Sequence, residues 1–232
     1  MDKDFQKFLK LLIFPAGLVS IIWAVEIIEF LGSYRFVKFG IFPRDPGTIF
    51  GILTSPFVHS DWGHLWSNTF PLFALSTIMM AFYRRIAVPV YTGIWLLTGL
   101  AVWLCARGDS YHIGISGIVY GLIGFIFWSG LFRENIRAII LSLIILIAYS
   151  GYFQGLTPEE GVSWESHLFG AISGAFMAFF LKGLKASDDE ENEKYVPAEL
   201  EDKRPFFDKD TFEYTKEERR IQSLLDAEEQ QS

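Results

Sequence analysis

Apolar residues in this chain come in long runs with the polar residues gathered between them. There is no short-period alternation of a half-buried sheet. Six runs stand out, at about 11–31, 64–83, 88–105, 116–132, 136–151 and 164–184. A helix needs roughly 17–25 mostly apolar residues to cross a bilayer, and fewer where one end is buried in protein. Backbone groups in lipid must be satisfied within their own segment, so the runs predict helices; the alternation of a membrane barrel is absent. Pro15 and Pro71 fall inside the first two runs, where membrane helices tolerate them. The first run is too long for the apolar region of a cleaved leader and has no small-residue cleavage site, so it reads as an uncleaved span.

Composition agrees. Of 232 residues, 51% are hydrophobic and 17% aromatic, with a mean hydropathy of +0.29. That excludes an ordinary soluble domain and predicts an all-α polytopic membrane protein with six transmembrane helices. Charge divides the chain in two. Residues 1–185 hold 13 Lys and Arg against 11 Asp and Glu, whereas 186–232 hold 7 against 16. The predicted organisation is a membrane domain, 1–185, and an acidic, disordered tail, 186–232, opening on Asp188-Asp189-Glu190-Glu191. Within the tail, 216–227 has a short helical pattern with Ile221, Leu224 and Leu225 on one side. The sequence pI of 5.1 describes that tail and implies no nucleic-acid partner. The lone Cys105 rules out an intrachain disulfide framework and a multi-cysteine metal site.

Basic residues orient the spans. With the N-terminus inside, nine Lys and Arg lie on the inner face (Lys3, Lys7, Lys10, Arg84, Arg85, Arg133, Arg137, Lys182, Lys185). Four lie outside (Arg35, Lys38, Arg44, Arg107). Both ends of the six-span domain are then cytoplasmic. The long first outer loop, about 32–63, mixes aromatics with Gly and Pro, as suits a segment lying in the membrane interface. The fifth loop, about 152–163, carries Gly155, Pro158, Glu159, Glu160 and Gly161 and reads as a short polar lid.

On this topology the polar residues that can do chemistry fall at one membrane face. Ser116 heads the fourth span within Gly114-Ile115-Ser116-Gly117, and His167 heads the sixth. A serine needs a base to act as a nucleophile, and a helix N-terminus favours a developing oxyanion. On the tetrapeptide alone, a helix-capping serine is the commoner explanation. Small residues at Gly170, Gly174 and Ala178, and at Gly117, Gly121 and Gly124, would let two helices approach closely. If the ridges face each other, Ser116 and His167 meet. His64 and Asn68 are four apart on one helical face, and both can donate hydrogen bonds. A metal site would need a third ligand and a different spacing from that of His59 and His64. His112, in the third loop, reads as a surface histidine. Glu26 and Glu29, near the outer end of the first span, read as cheaply solvated; they and the missing inverted repeat leave a transporter or channel as a weaker alternative.

At these residues the chain resembles the rhomboid family of intramembrane serine proteases. The pattern H-x4-H-x3-N is met by His59, His64 and Asn68. The pattern G-x-S-G is met by Gly114 to Gly117, and H-x2-G-x3-G by His167, Gly170 and Gly174. Tyr120 stands where the family places an aromatic near the catalytic histidine. The resemblance covers about residues 10–185, the compact six-helix bacterial form. It implies a Ser116–His167 dyad with no acidic third member, and an oxyanion hole from the Ser116 N–H, His64 and Asn68. It also implies a half-embedded first loop and a fifth loop that yields to admit substrate. The implied activity is endopeptidase cleavage of transmembrane protein substrates in a plasma membrane, with the lipid bilayer as the other partner and no cofactor or metal. The alternative is a catalytically silent relative that binds membrane proteins. The Trp-Arg pair that many relatives carry before the first histidine is not seen, Phe50-Gly51 lying near that place, and Phe82-Tyr83-Arg84-Arg85 stands where an acidic partner is expected. The motifs therefore do not say what anchors the first loop.

Overall fold

The computed structural model describes residues 3–133, 136–158, 162–186, 215–218 and 220–221. The chain divides into two units, Met1–Glu191 and Asn192–Ser232. In the second, the described residues include a helical turn at 216–218 opened by Thr215. The Thr215 hydroxyl accepts from the Glu218 N–H while the Glu218 carboxylate accepts from the Thr215 N–H, a reciprocal cap. The run 188–191, Leu224 and Leu225 lie outside the described residues.

The first unit is all-helical. The helices are α1 (Lys3–Gly32), α2 (Gly51–Thr54), α3 (Trp62–Phe82), α4 (Ala87–Cys105), α5 (Ser116–Phe132), α6 (Ile136–Ala148) and α7 (Trp164–Phe180). Single-turn 3₁₀ segments and a longer one, Ser150–Leu156, connect them. Three helices are each long and apolar enough to cross a membrane: α1 from Phe5, α3 and α4. A fourth candidate is α6 with Ser150–Leu156, bent by 65° at their junction. The chain is thus a multi-pass integral membrane protein. Its outward faces are studded with exposed side chains such as Phe70, Val88, Ile147 and Phe180, as expected of surfaces in contact with lipid.

Packing places α5 at the centre. It is buried on nearly every side, with α7 as its most extensive neighbour and α3, α4 and α6 also against it. A helix apolar all round belongs in such a position. The ridges of α5 and α7 face each other. A Cβ built on Gly170 or Gly174 would strike the carbonyl of Gly117 or Gly121, and one on Gly124 would come within 2.6 Å of the Ala171 carbonyl. Without side chains at these positions the two backbones touch, and packing between them replaces the hydrophobic drive that lipid does not supply.

Structure in the first loop exceeds what the sequence suggested. It holds 3₁₀ turns at Phe36–Phe39, Pro46–Thr48 and Ser55–Phe57, besides α2. Its anchors are dispersed. Glu29 accepts from the Phe36 N–H at 2.6 Å. Arg44 donates to the carbonyls of Leu104 and Ala106 at the end of α4. Trp95 and Trp103 donate their indole N–H groups to the carbonyls of Ile52 and Asp45. Ile41 pairs with His112 through both backbone bonds, an isolated antiparallel bridge. These contacts tie the first loop, which lacks the Trp-Arg pair, to α1, α4 and the third loop. They also correct the reading of Glu26 and Glu29 as solvated residues, since both are buried.

Candidate active site

Gly114 makes the turn into α5. Its φ of +102° lies in the region that disfavours side chains, and a Cβ there would come within 2.7 Å of the His64 ring. Its N–H is held by the Ser55 carbonyl at 2.9 Å. Ser116 follows as the first residue of α5, so its N–H is among those without a partner inside the helix.

On α7, the His167 Nε2 lies 2.9 Å from the Ser116 Oγ, and both residues are buried. The other ring nitrogen, Nδ1, is 2.8 Å from the carbonyl of Gly155. A carbonyl only accepts, so Nδ1 carries the proton and Nε2 presents its lone pair to the serine hydroxyl. That is the tautomer a general base requires. Tyr120, one turn along α5 from Ser116, stacks on the imidazole with ring centroids 4.2 Å apart and planes at 8°. Its hydroxyl donates to the Tyr152 carbonyl at 2.8 Å. The segment after α6 thus meets the Ser–His pair twice, through Tyr152 and Gly155. From the sequence Gly155 was singled out only as part of the fifth-loop lid, not as a partner of the histidine. Its contribution is a main-chain oxygen, which leaves no side-chain signature, and a Cβ on it would strike the Tyr120 hydroxyl.

The second pair comes from the start of α3. Asp61 caps this helix by accepting from the His64 N–H at 3.0 Å. The Ser60 hydroxyl and the His64 N–H hold the Asp61 carboxyl below its usual range. The Ser60 N–H lies 3.5 Å and the Ser60 hydroxyl oxygen 3.2 Å from the His64 Nδ1, that hydroxyl donating to Asp61 at 2.7 Å, and the His64 Nε2 faces the Gly114 side. Asn68, one turn on, spends one amide hydrogen on the His64 carbonyl at 3.0 Å and retains a second. His64, Asn68, Ser116, Tyr120 and His167 all line one cavity of about 960 Å³.

The remaining candidates are placed as follows. His59 packs edge-on against His64, with centroids 5.0 Å apart, and is only 2% exposed. Burial, reinforced by His64, pushes its imidazole down to about 3, so it is neutral. Gly117, Gly170 and Gly174 form the α5–α7 seam and do not line the cavity. His112 is not a surface residue: it is 2% exposed, and burial lowers its pKa. No local pattern signalled this, because one ring partner, Ser163, lies 51 residues away and the other, at Arg107, is a main-chain oxygen. Among the described residues no group of three or more His, Cys, Asp or Glu is arranged to hold a metal ion.

Comparison with known proteins agrees with the fold. The family model described as the rhomboid domain matches residues 46–183. An uncharacterized protein of Mycobacterium tuberculosis (strain H37Rv) is 34% identical over 172 residues, 70% of this chain and 72% of that protein. YdcA of Bacillus subtilis, whose name places it among rhomboid proteases, is 23% identical over 55% of this chain and 65% of its own length. Rhomboid-like protein 11 of Arabidopsis thaliana, a chloroplast protein, is 26% identical over 61% of this chain and 56% of its own. With the matched region spanning more than half of its length, this chain belongs to the rhomboid family.

Proposed function

We propose that this protein is an intramembrane serine endopeptidase. The observation that carries the reading is the 2.9 Å approach of the His167 Nε2 to the Ser116 Oγ, with Nδ1 fixed as the donor by Gly155. His167 takes the hydroxyl proton as Ser116 attacks the scissile carbonyl, then gives it to the leaving amine as the acyl-enzyme forms. A water, deprotonated by the same imidazole, releases the acyl group. The Ser116 N–H, the His64 Nε2–H and the second Asn68 amide hydrogen are the donors for the tetrahedral oxyanion. Removing one such donor typically costs about 10²–10³ in rate. The Gly155 carbonyl takes the orienting role that a carboxylate has in soluble triads.

Depth supports the setting. At 1.5 Å per residue, the 17 residues of α5 span about 25 Å, less than a hydrocarbon core of about 30 Å. A helix that short leaves its first residue below one surface if its other end reaches the opposite face. Counting α5, the bent α6 segment and α7 as spans gives six, an even number that leaves both ends of the membrane domain on one side; the bias of nine basic residues against four makes that side the cytoplasm and the cavity's side the extracytoplasmic one. The substrates are transmembrane proteins whose helices unwind readily near the cut, because an extended backbone must reach Ser116.

The test uses purified protein in lipid vesicles with a single-span substrate and, separately, a fluorophosphonate probe. Wild type is expected to cleave and to label, and Ser116→Ala and His167→Ala to do neither while melting like wild type. Cleavage by Ser116→Ala ends the proposal. A folded wild type that neither cleaves nor labels favours the catalytically silent binder.

A further inference from the structure

Beside the Ser–His pair lies a second polar chain, partly buried and directional. His112 belongs to the loop that leads into Ser116, and Ser163 and Ser166 to the start of α7, just before His167. The His112 Nε2 is 3.1 Å from the Arg107 carbonyl, which can only accept, so Nε2 carries the proton. The His112 Nδ1 therefore accepts from the Ser163 hydroxyl at 2.6 Å. The Ser163 oxygen in turn lies 2.6 Å from the Ser166 hydroxyl, which is left to donate to it.

Ser163 makes the arrangement informative. It is the N-cap of α7, yet its side chain makes no capping bond. A capping serine ordinarily accepts from the N–H two or three residues on. Here its hydroxyl is turned across to another segment instead. A second link joins the same two segments. Arg107 donates to the Val162 carbonyl at 2.7 Å and lies 3.4 Å from the buried Glu165 carboxylate. His112 is also bridged through its backbone to Ile41, and the Ser166 carbonyl would sit 3.2 Å from a Cβ on Gly117. The chain of hydroxyls thus joins the strap that carries the nucleophile to the turn that carries the base.

We propose that His112, Ser163 and Ser166 form a positioning tie that sets the approach of His167 to Ser116. The proposal rests on the dyad reading above. None of the three touches the reacting atoms; they act through the segments they join. Reaction rates are steep in geometry, and a misplacement of about 1 Å can cost about a hundredfold.

The measurement is the second-order rate at which a fluorophosphonate labels Ser116 in vesicles, taken well below each variant's melting temperature. Ser163→Ala and His112→Phe are each expected to slow labelling about tenfold to a hundredfold. Ser163→Thr keeps the hydroxyl and is expected to restore the rate. In the double variant His112→Phe/Ser163→Ala no serine hydroxyl is stranded opposite an apolar ring, so some melting temperature returns, but the rate stays as low as in either single variant. A purely structural role predicts the reverse: variants that melt early yet label at the wild-type rate, or a double variant whose rate recovers with its stability. Either result overturns the tie. Failure of the dyad reading looks different, because wild type would not label, or Ser116→Ala would label as well, and the tie would fall with it. Wild type labelling through Ser116 while the tie variants match it defeats the tie alone.

Discussion

His59 sits under His64 with neither ring nitrogen in a hydrogen bond of good geometry. A polar ring held that way costs stability whenever the solvent offers it a proton, because the folded state refuses what the unfolded chain accepts. The folded value is about 3 against an ordinary 6.5, so between those limits the unfolded state binds more protons. Stability is therefore full above pH 6.5 and falls as the pH drops below it, by up to about 1.4 kcal/mol per pH unit from this group. His112 shifts in the same direction and adds to the slope. Melting curves in detergent between pH 7.5 and 5, above the carboxylate range, should show wild type losing stability faster than His59→Phe. Parallel curves would mean that His59 has no such role. At this scale much of the site was legible, since Ser116, His167, His64 and Asn68 announce themselves by type and spacing. What was not legible is either main chain, as at Gly155, or a partnership across distance. His112 looked like a loop residue because nothing near it in sequence indicates that Ser163 will meet its ring.

The α5–α7 seam decides whether the pieces meet at all. Gly121 and Gly174 bring their two backbones into contact roughly one to two turns below the Ser–His pair, so a side chain at 174 must push the helices apart. Gly174→Val should cost on the order of 1–3 kcal/mol by overpacking, and it should also slow fluorophosphonate labelling, because the hinge of the displacement lies beneath the dyad. Gly17→Ala is the control. Nothing lies within 4 Å of a Cβ there, and alanine favours a helix, so melting and labelling should be unchanged or slightly improved. Equal melting temperatures for Gly174→Val and wild type would refute close backbone packing. The element pattern was readable because long apolar runs admit few structures in lipid. The predicted runs and the helices differ mainly at their ends, as with 136–151 against Ile136–Ala148, where the chain turns into the 3₁₀ segment that carries Gly155. The first loop was not readable as structure. Its turns are held by scattered bonds to α1 and α4, such as Glu29 to Phe36 and Arg44 to Ala106, and no local pattern encodes those partners.

For the whole molecule the proposed direction of the cavity rests on charge, through a rule about insertion rather than about folding. On the nine-against-four distribution of basic residues, Arg84 is expected inside and Asp109 outside. Asp109 lines the cavity and has a side chain 70% exposed, so it reports directly on which compartment supplies water to the dyad. The free Cys105 is exposed and must first be replaced by serine. In that background, Asp109→Cys should react with a membrane-impermeant maleimide on intact cells, and Arg84→Cys only after the membrane is opened. The reverse pattern would invert the molecule and send the hydrolytic water, and the cut end of each substrate, to the cytoplasm. Labelling of both sites on intact cells would mean that the population inserts both ways. The charge bias would then be too weak to orient it, although the dyad geometry would be the same in either orientation.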